Sequence, residues 1–163
     1  MAQGLRFYLE SSFWARLVDR RDPRRRRATR RFQAWMDPRH FALVSDLVRA
    51  ELRETQDPDL RRSVVRRYHR AGKKLVPTTP NVRRVAWDLV ARGAVTENHL
   101  ADAFHIAYSM VGRAFALVTW DVSDLAREHT RRIVREYCWL QGLPELRIGT
   151  PIEVAQWLDV RIP

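Results

Sequence analysis

Four acidic residues, far apart in the chain, stand where chemistry could gather. Glu10 directly follows the apolar run 5–9. Glu51 lies in the helical segment after the run 41–44. Asp102 sits early in a helical pattern over 97–111, and Asp121 follows a strand-like run ending at Thr119. Carboxylates held close together repel one another, and their pKa values rise unless a divalent ion neutralises them. Mg2+ or Mn2+ takes oxygen ligands, keeps several waters and lowers the pKa of one of them, the chemistry required to hydrolyse a phosphodiester.

Each acid also has a plainer reading. Val44, Leu47, Val48, Glu51 and Leu52 share one stripe, so Glu51 points inward, where a carboxylate either pairs with an arginine or holds a cation. Asp102 is either a site residue or a first-turn acid answering the helix dipole. His105, on the same helix, either approaches the site or packs in the core, and packing is the plainer reading. No cysteine–histidine spacing suggests zinc, and no glycine-rich loop suggests a nucleotide cradle.

The elements that must position these acids follow from periodicity. Short apolar runs at 5–9, 41–44, 75–76, 115–119 and 146–148 read as buried strands, with helical patterns between them. The clearest helix is 97–111, where Leu100, Ala103, Phe104, Ala107, Tyr108 and Val111 fall at three- and four-residue intervals. Others are expected over 59–71, 81–92 and 123–140. Ser45 is placed to cap the helix that carries Glu51. Strands alternating with helices predict a parallel sheet covered on both faces, whose ligands bind beyond the carboxyl ends of the strands. Glu10 and Asp121 stand at such ends.

Length and composition fit one domain over 1–163, with 45% hydrophobic residues to build its core. The single cysteine, Cys138, excludes an internal disulfide and fits a reducing compartment. The opening residues do not read as a secretory signal and no apolar stretch approaches a membrane span, so a cytoplasmic protein without membrane contact is expected. The net charge is +11, nearly all from arginine, which favours a polyanionic partner such as RNA. Arg24, Arg25, Arg26 and Arg27 form an unbroken run that either holds substrate or is a solvated helix face. Phe13 and Trp14 either stack on a base or belong to the core.

Taken in order, these segments resemble the PIN-domain family, in particular the VapC-like toxin ribonucleases of bacterial toxin–antitoxin pairs. Phe7-Tyr8-Leu9-Glu10-Ser11-Ser12 resembles the family's strand ending in Leu-Asp-Thr-Ser. Ser45 followed six residues later by Glu51 resembles its second element. Asp102-Ala103-Phe104-His105-Ile106-Ala107 matches the Asp-Ala-x-His-Ile-Ala signature, and Leu117-Val118-Thr119-Trp120-Asp121 the strand ending in Thr-x-Asp. Gly142-Leu143-Pro144 and Thr150-Pro151-Ile152-Glu153 resemble one subgroup. The resemblance implies an α/β/α sandwich with a central parallel sheet and an Mg2+- or Mn2+-dependent endoribonuclease acting on single-stranded RNA. It further implies a cognate antitoxin and a homodimer. Carried over by position, Glu10, Glu51, Asp102 and Asp121 are the metal-binding, catalytic acids, Ser12 and Thr119 supporting hydroxyls, and Asp124 an outer acid. The family's first acid is aspartate, and here it is Glu10. The extra methylene displaces the carboxylate by about 1.5 Å, so metal binding with weakened catalysis is expected. The alternative is a catalytically silent PIN domain that binds RNA or a protein.

Overall fold

Four helices of this chain begin with the same local device, a capping side chain followed by proline. Asp22-Pro23 opens α2 (Pro23–Met36), Asp57-Pro58 opens α4 (Pro58–Arg70), Thr79-Pro80 opens α5 (Pro80–Ala91) and Thr150-Pro151 opens α8 (Pro151–Trp157). In each, the cap oxygen accepts a first-turn amide while proline presets the helical φ and has no orphan N–H. At α8, Glu153 reaches back to the Thr150 amide and completes a capping box. The remaining helices are α1 (Ser11–Val18), α3 (Asp46–Arg53), α6 (Leu100–Val111) and α7 (Glu128–Leu140).

The computed structural model describes residues 4–161. Five strands, β1 (Arg6–Leu9), β2 (Phe41–Val44), β3 (Lys74–Leu75), β4 (Ala116–Val118) and β5 (Arg147–Gly149), form one sheet in the order β3-β2-β1-β4-β5. Every pairing is parallel, and Tyr8 lies opposite both Leu43 and Leu117. The sheet is flanked by helices on both faces, as the α/β/α expectation requires. Alternation along β1 assigns the faces. Phe7 meets Phe32 and Trp35 of α2, and Tyr8 meets His105 and Tyr108 of α6. Phe13 and Trp14 are fully buried in the core, with Trp14 edge-on to Tyr68 of α4, so neither is free to stack on a base. No helix among the described residues is long and apolar enough to cross a membrane.

Several boundaries differ from the sequence expectation. The helix expected over 123–140 begins only at Glu128, because the Asp121 carboxylate accepts the amides of Ser123 and Asp124 and turns the chain there. The helix expected from 97 opens with a 3-10 turn, Glu97–His99, before α6 proper. Ser45 precedes α3 but makes no capping bond, its hydroxyl being taken by Tyr8.

Gly149, at the end of β5, lies under the Trp157 ring. A Cβ built there would overlap Cη2 of that ring. Gly149→Ala should therefore destabilise the fold by about 1–3 kcal/mol through overpacking, read as a lower midpoint in urea with an unchanged slope. A midpoint equal to the parent's would show that Trp157 has room to yield.

Candidate active site

The Glu10 side chain does not extend outward from the end of β1. It folds back to cap α1, where Oε2 accepts from the Ser12 amide at 3.0 Å and the Ser11 hydroxyl at 3.1 Å. Its Oε1 accepts from the Thr119 hydroxyl at 2.8 Å and from the Ser12 hydroxyl. These hydroxyls also serve the next stretch of chain. Ser12 Oγ accepts the Trp120 amide at 2.8 Å, and Thr119 Oγ1 accepts the Asp121 amide at 2.9 Å. Ser12 and Thr119 thus fasten the turn that carries Asp121 to a carboxylate that is 4% exposed.

A second unit centres on His105. The imidazole is 1% exposed and lies between Glu51 and Tyr8. Its Nε2 is 2.9 Å from Glu51 Oε2, its Nδ1 is 2.9 Å from Tyr8 Oη, and that phenol is 2.7 Å from Ser45 Oγ. The carboxylate only accepts, so Nε2 carries the hydrogen and donates it to Glu51. Burial depresses the imidazole pKa, but the bond and charge of Glu51, then the charges of Glu10 and Asp102, raise it overall. Burial pushes the Glu51 carboxyl up, while the bond to His105, its charge and a Ser11 hydrogen bond bring it below the ordinary range. Both directions favour a charged pair. Tyr8 is pushed well above the phenol range, chiefly by burial, and stays protonated.

Asp102 and Asp121 lie near enough for the charge of Asp121 to act on Asp102. The Asp102 carboxyl is pushed up to about 6, first by burial and then by the negative charge of Asp121, with Asp124 adding to it and His105 and His99 pulling back. His99 Nδ1 lies 3.6 Å from Asp102 and 3.4 Å from Asp124. The Asp121 Oδ1 accepts the Ser123 hydroxyl at 2.9 Å, and that hydroxyl also reaches Asp124.

Ligand atoms of Glu10, Glu51 and His105 come within 4.8 Å of one another, the one trio of metal-binding types this close among the described residues. Asp102 and Asp121 are not in that trio, although the Asp102 charge acts on His105 and the Asp121 charge on Asp102. The Nε2 of His105 is committed to Glu51, which leaves carboxylate oxygens as the donors. Several carboxylate oxygens gathered on the carboxyl-end side of the sheet are a hard donor set that fits Mg2+ or Mn2+.

The four consecutive arginines 24–27 point about 100° apart around α2 and do not share a face. Arg25 lies over the Trp120 ring, 5.3 Å from its centroid, and pairs with Asp22 at 3.4 Å. Trp120 donates its indole N–H to Thr29 at 2.8 Å, which ties α2 to the Asp121 turn. Arg24 and Arg27 are exposed and Arg26 half-buried, none of them against the acidic pocket. His105, for which packing is the plainer expectation, is instead bonded to Glu51, and Tyr8 was not among the expected site residues. His105 was legible from its position three residues after Asp102, which puts both on one side of α6. Tyr8 was legible from strand alternation, which gives it the same face as Glu10.

Comparison with known proteins places this geometry. No curated protein matches the chain in sequence. Among solved structures, the Mycobacterium tuberculosis toxin VapC20, described as cleaving the sarcin–ricin loop, superposes with a TM-score of 0.58 at 19% identity, covering 74% of this chain and 93% of its own. VapBC2 from Rickettsia felis, bound to a DNA fragment from its promoter, superposes with a TM-score of 0.58 at 9% identity, covering 89% and 98%. At these identities the likeness is one of fold. The family model of the PIN domain matches residues 7–127, which include all four acids. The chain belongs to the PIN-domain family.

Proposed function

We propose that this chain is an Mg2+- or Mn2+-dependent endoribonuclease that hydrolyses phosphodiesters in single-stranded RNA, the toxin of a toxin–antitoxin pair. The observation that carries this reading is the convergence of Glu10, Glu51 and His105, whose ligand atoms lie within 4.8 Å of one another, inside the segment that the PIN-domain model matches. Glu10, Glu51, Asp102 and Asp121 would hold the ion, with Asp124 further out. A bound divalent ion supplies Lewis-acid activation of water and neutralises charge on the phosphodiester. The chain's own residues do the rest. Ser12 and Thr119 fix Glu10 and the Asp121 turn, His105 orients Glu51, and Tyr8 and Ser45 orient His105. Arg25, on Trp120, is placed at the rim to meet substrate phosphate. A cytoplasmic location, a homodimer and a cognate antitoxin belong to the same reading, as the family resemblance implies.

One observation favours a second reading, a silent PIN domain that binds RNA or a protein. The Glu10 carboxylate accepts four hydrogen bonds, as many as its lone pairs serve, so it is complete as a structural cap. Glu10→Asp separates the two. The enzyme should hold or gain metal-dependent cleavage in this variant, whereas a silent binder shows none in either form.

Three outcomes are expected. Purified chain should cleave a fluorophore-quenched single-stranded RNA with Mg2+ or Mn2+, and Asp102→Asn or chelation should reduce this to background; cleavage that survives both would exclude the mechanism. The second concerns pH. The folded state holds the Asp102 proton more tightly than the unfolded chain does, so this group favours folding below the ordinary carboxylate range. That advantage is lost as pH rises through about 6. Saturating Mn2+ should therefore raise the melting temperature by roughly 5–10 °C near neutrality and by much less near pH 5, and Asp102→Asn should flatten the difference. Finally, Tyr8→Phe strips a bond from His105 Nδ1 and should weaken Mn2+ binding about 10–100-fold in calorimetry; unchanged affinity would remove Tyr8 from the positioning set.

A further inference from the structure

The positive charge of this chain is unevenly distributed. Residues 20–70 hold sixteen arginines against seven acids, and so account for nine of the eleven net charges. Part of this excess gathers around Arg30, which feels the charges of Arg26, Arg67 and Arg20. Arg26, Arg30 and Gln33 lie along one side of α2 at four- and three-residue spacing. Arg30 donates its Nε to the Leu17 carbonyl at the end of α1, and Arg67 of α4 donates to Gln33 Oε1 at 2.6 Å. Arg20 follows the end of α1. Among the described residues, none of these four arginines forms an ion pair.

The acids nearby are otherwise engaged. Asp19 is taken by Arg21 and Arg16, and Asp22 by Arg25 and Arg16. Asp37 lies near Arg67, but burial raises its carboxyl despite that charge. The Arg30 guanidinium is pushed below its usual range by burial and then by Arg26, Arg67 and Arg20, with no acid among its opposing influences.

We infer that the arginine cluster that joins α2, α4 and the end of α1 is a docking track for a single-stranded RNA backbone, with Arg20, Arg26, Arg30 and Arg67 meeting successive phosphates. This rests on the nuclease reading above and extends it to residues remote from the acids. Two observations favour nucleic acid over an acidic protein segment. Protein interfaces are anchored by buried apolar and aromatic side chains, and the exposed large hydrophobic residues of the described chain all lie outside α2 and α4. The helix that carries Arg26 and Arg30 is also tied to the acidic pocket, because Arg25 and Thr29 on it hold Trp120, whose amide bonds Ser12 beside Glu10.

Binding of a fluorescein-labelled single-stranded RNA of about 20 nucleotides, followed by anisotropy between about 50 and about 200 mM salt, tests the track. The protein is the metal-free Asp102→Asn chain, which leaves the RNA intact. Combining Arg26→Gln, Arg30→Gln and Arg67→Gln should flatten the plot of log K against log salt by about 2, roughly 0.7 per phosphate contact, and weaken binding about a hundredfold near 0.1 M salt. Arg26→Gln with Arg67→Gln spares the Arg30 bond to α1 and should flatten it by about 1.4. Arg30→Lys keeps the charge and should keep the slope. Arg83→Gln, Arg132→Gln and Arg135→Gln together, on α5 and α7, remove equal charge and should change the slope little. Equal effects of the two triple variants, an unchanged slope in the first, or no RNA binding by the parent would overturn the track. Loss of polyglutamate binding with RNA binding intact would overturn it in favour of an acidic protein partner. Mn2+ calorimetry on the chain with native Asp102 and on the α2–α4 variants reads the acidic site separately, so failure of the track and failure of the metal reading give different results.

Discussion

Four hydrogen bonds converge on the Glu10 carboxylate, and they come from two separate stretches of the chain, the first turn of α1 and the end of β4. That convergence sets where everything else in the pocket stands. A helix start leaves amides without partners, and the usual cap is a short side chain. Glutamate serves here because its longer chain can bend back over the turn and still leave its other oxygen for Thr119. The sequence-based expectation of a carboxylate pushed outward by its extra methylene assumed an extended side chain. Capping supplies the force that folds it instead.

Much of the arrangement was legible from residue types. The order of strands and helices, the parallel sheet and the placing of Glu10 and Asp121 beyond strand ends all follow from apolar periodicity and the rule for open sheets. What the linear pattern could not supply is competition among polar groups. Ser45 has the type and position of a helix cap, yet a buried phenol from a neighbouring strand takes its hydroxyl. The segment 122–127 has helical composition, yet the Asp121 carboxylate diverts its amides into a turn. The inward-facing Glu51 did announce a buried negative charge. Its partner, left open between an arginine and a cation, is a histidine that helical spacing made visible only beside Asp102. Such outcomes depend on groups brought together by tertiary contact, which periodicity does not record.

The molecule separates its charges. The acids collect at the carboxyl ends of β1 and β4 and around α6, whereas the arginine excess lies on the elements between β1 and β3. A pocket of several carboxylates repels a polyanion at close range, and the neighbouring guanidiniums reverse the sign of the field at longer range. Trp120 stands at the boundary. Its backbone is pinned to the acidic side through Ser12, and its ring is held by Thr29 and Arg25 on the basic side.

The central strand also makes residue count matter. Phe7 belongs to one face, among Phe32, Trp35 and Phe115, and Tyr8 to the other, against His105 and Tyr108. A one-residue insertion or deletion within β1 would exchange the two, presenting a hydrocarbon ring to the imidazole and a phenol to the aromatic cluster. Length changes over evolutionary time should therefore collect in the connections between elements, while the interval Tyr8-x-Glu10 stays invariant. A tyrosine two positions ahead of the first acid, together with a serine ending the second strand, would mark other chains built around the same buried imidazole.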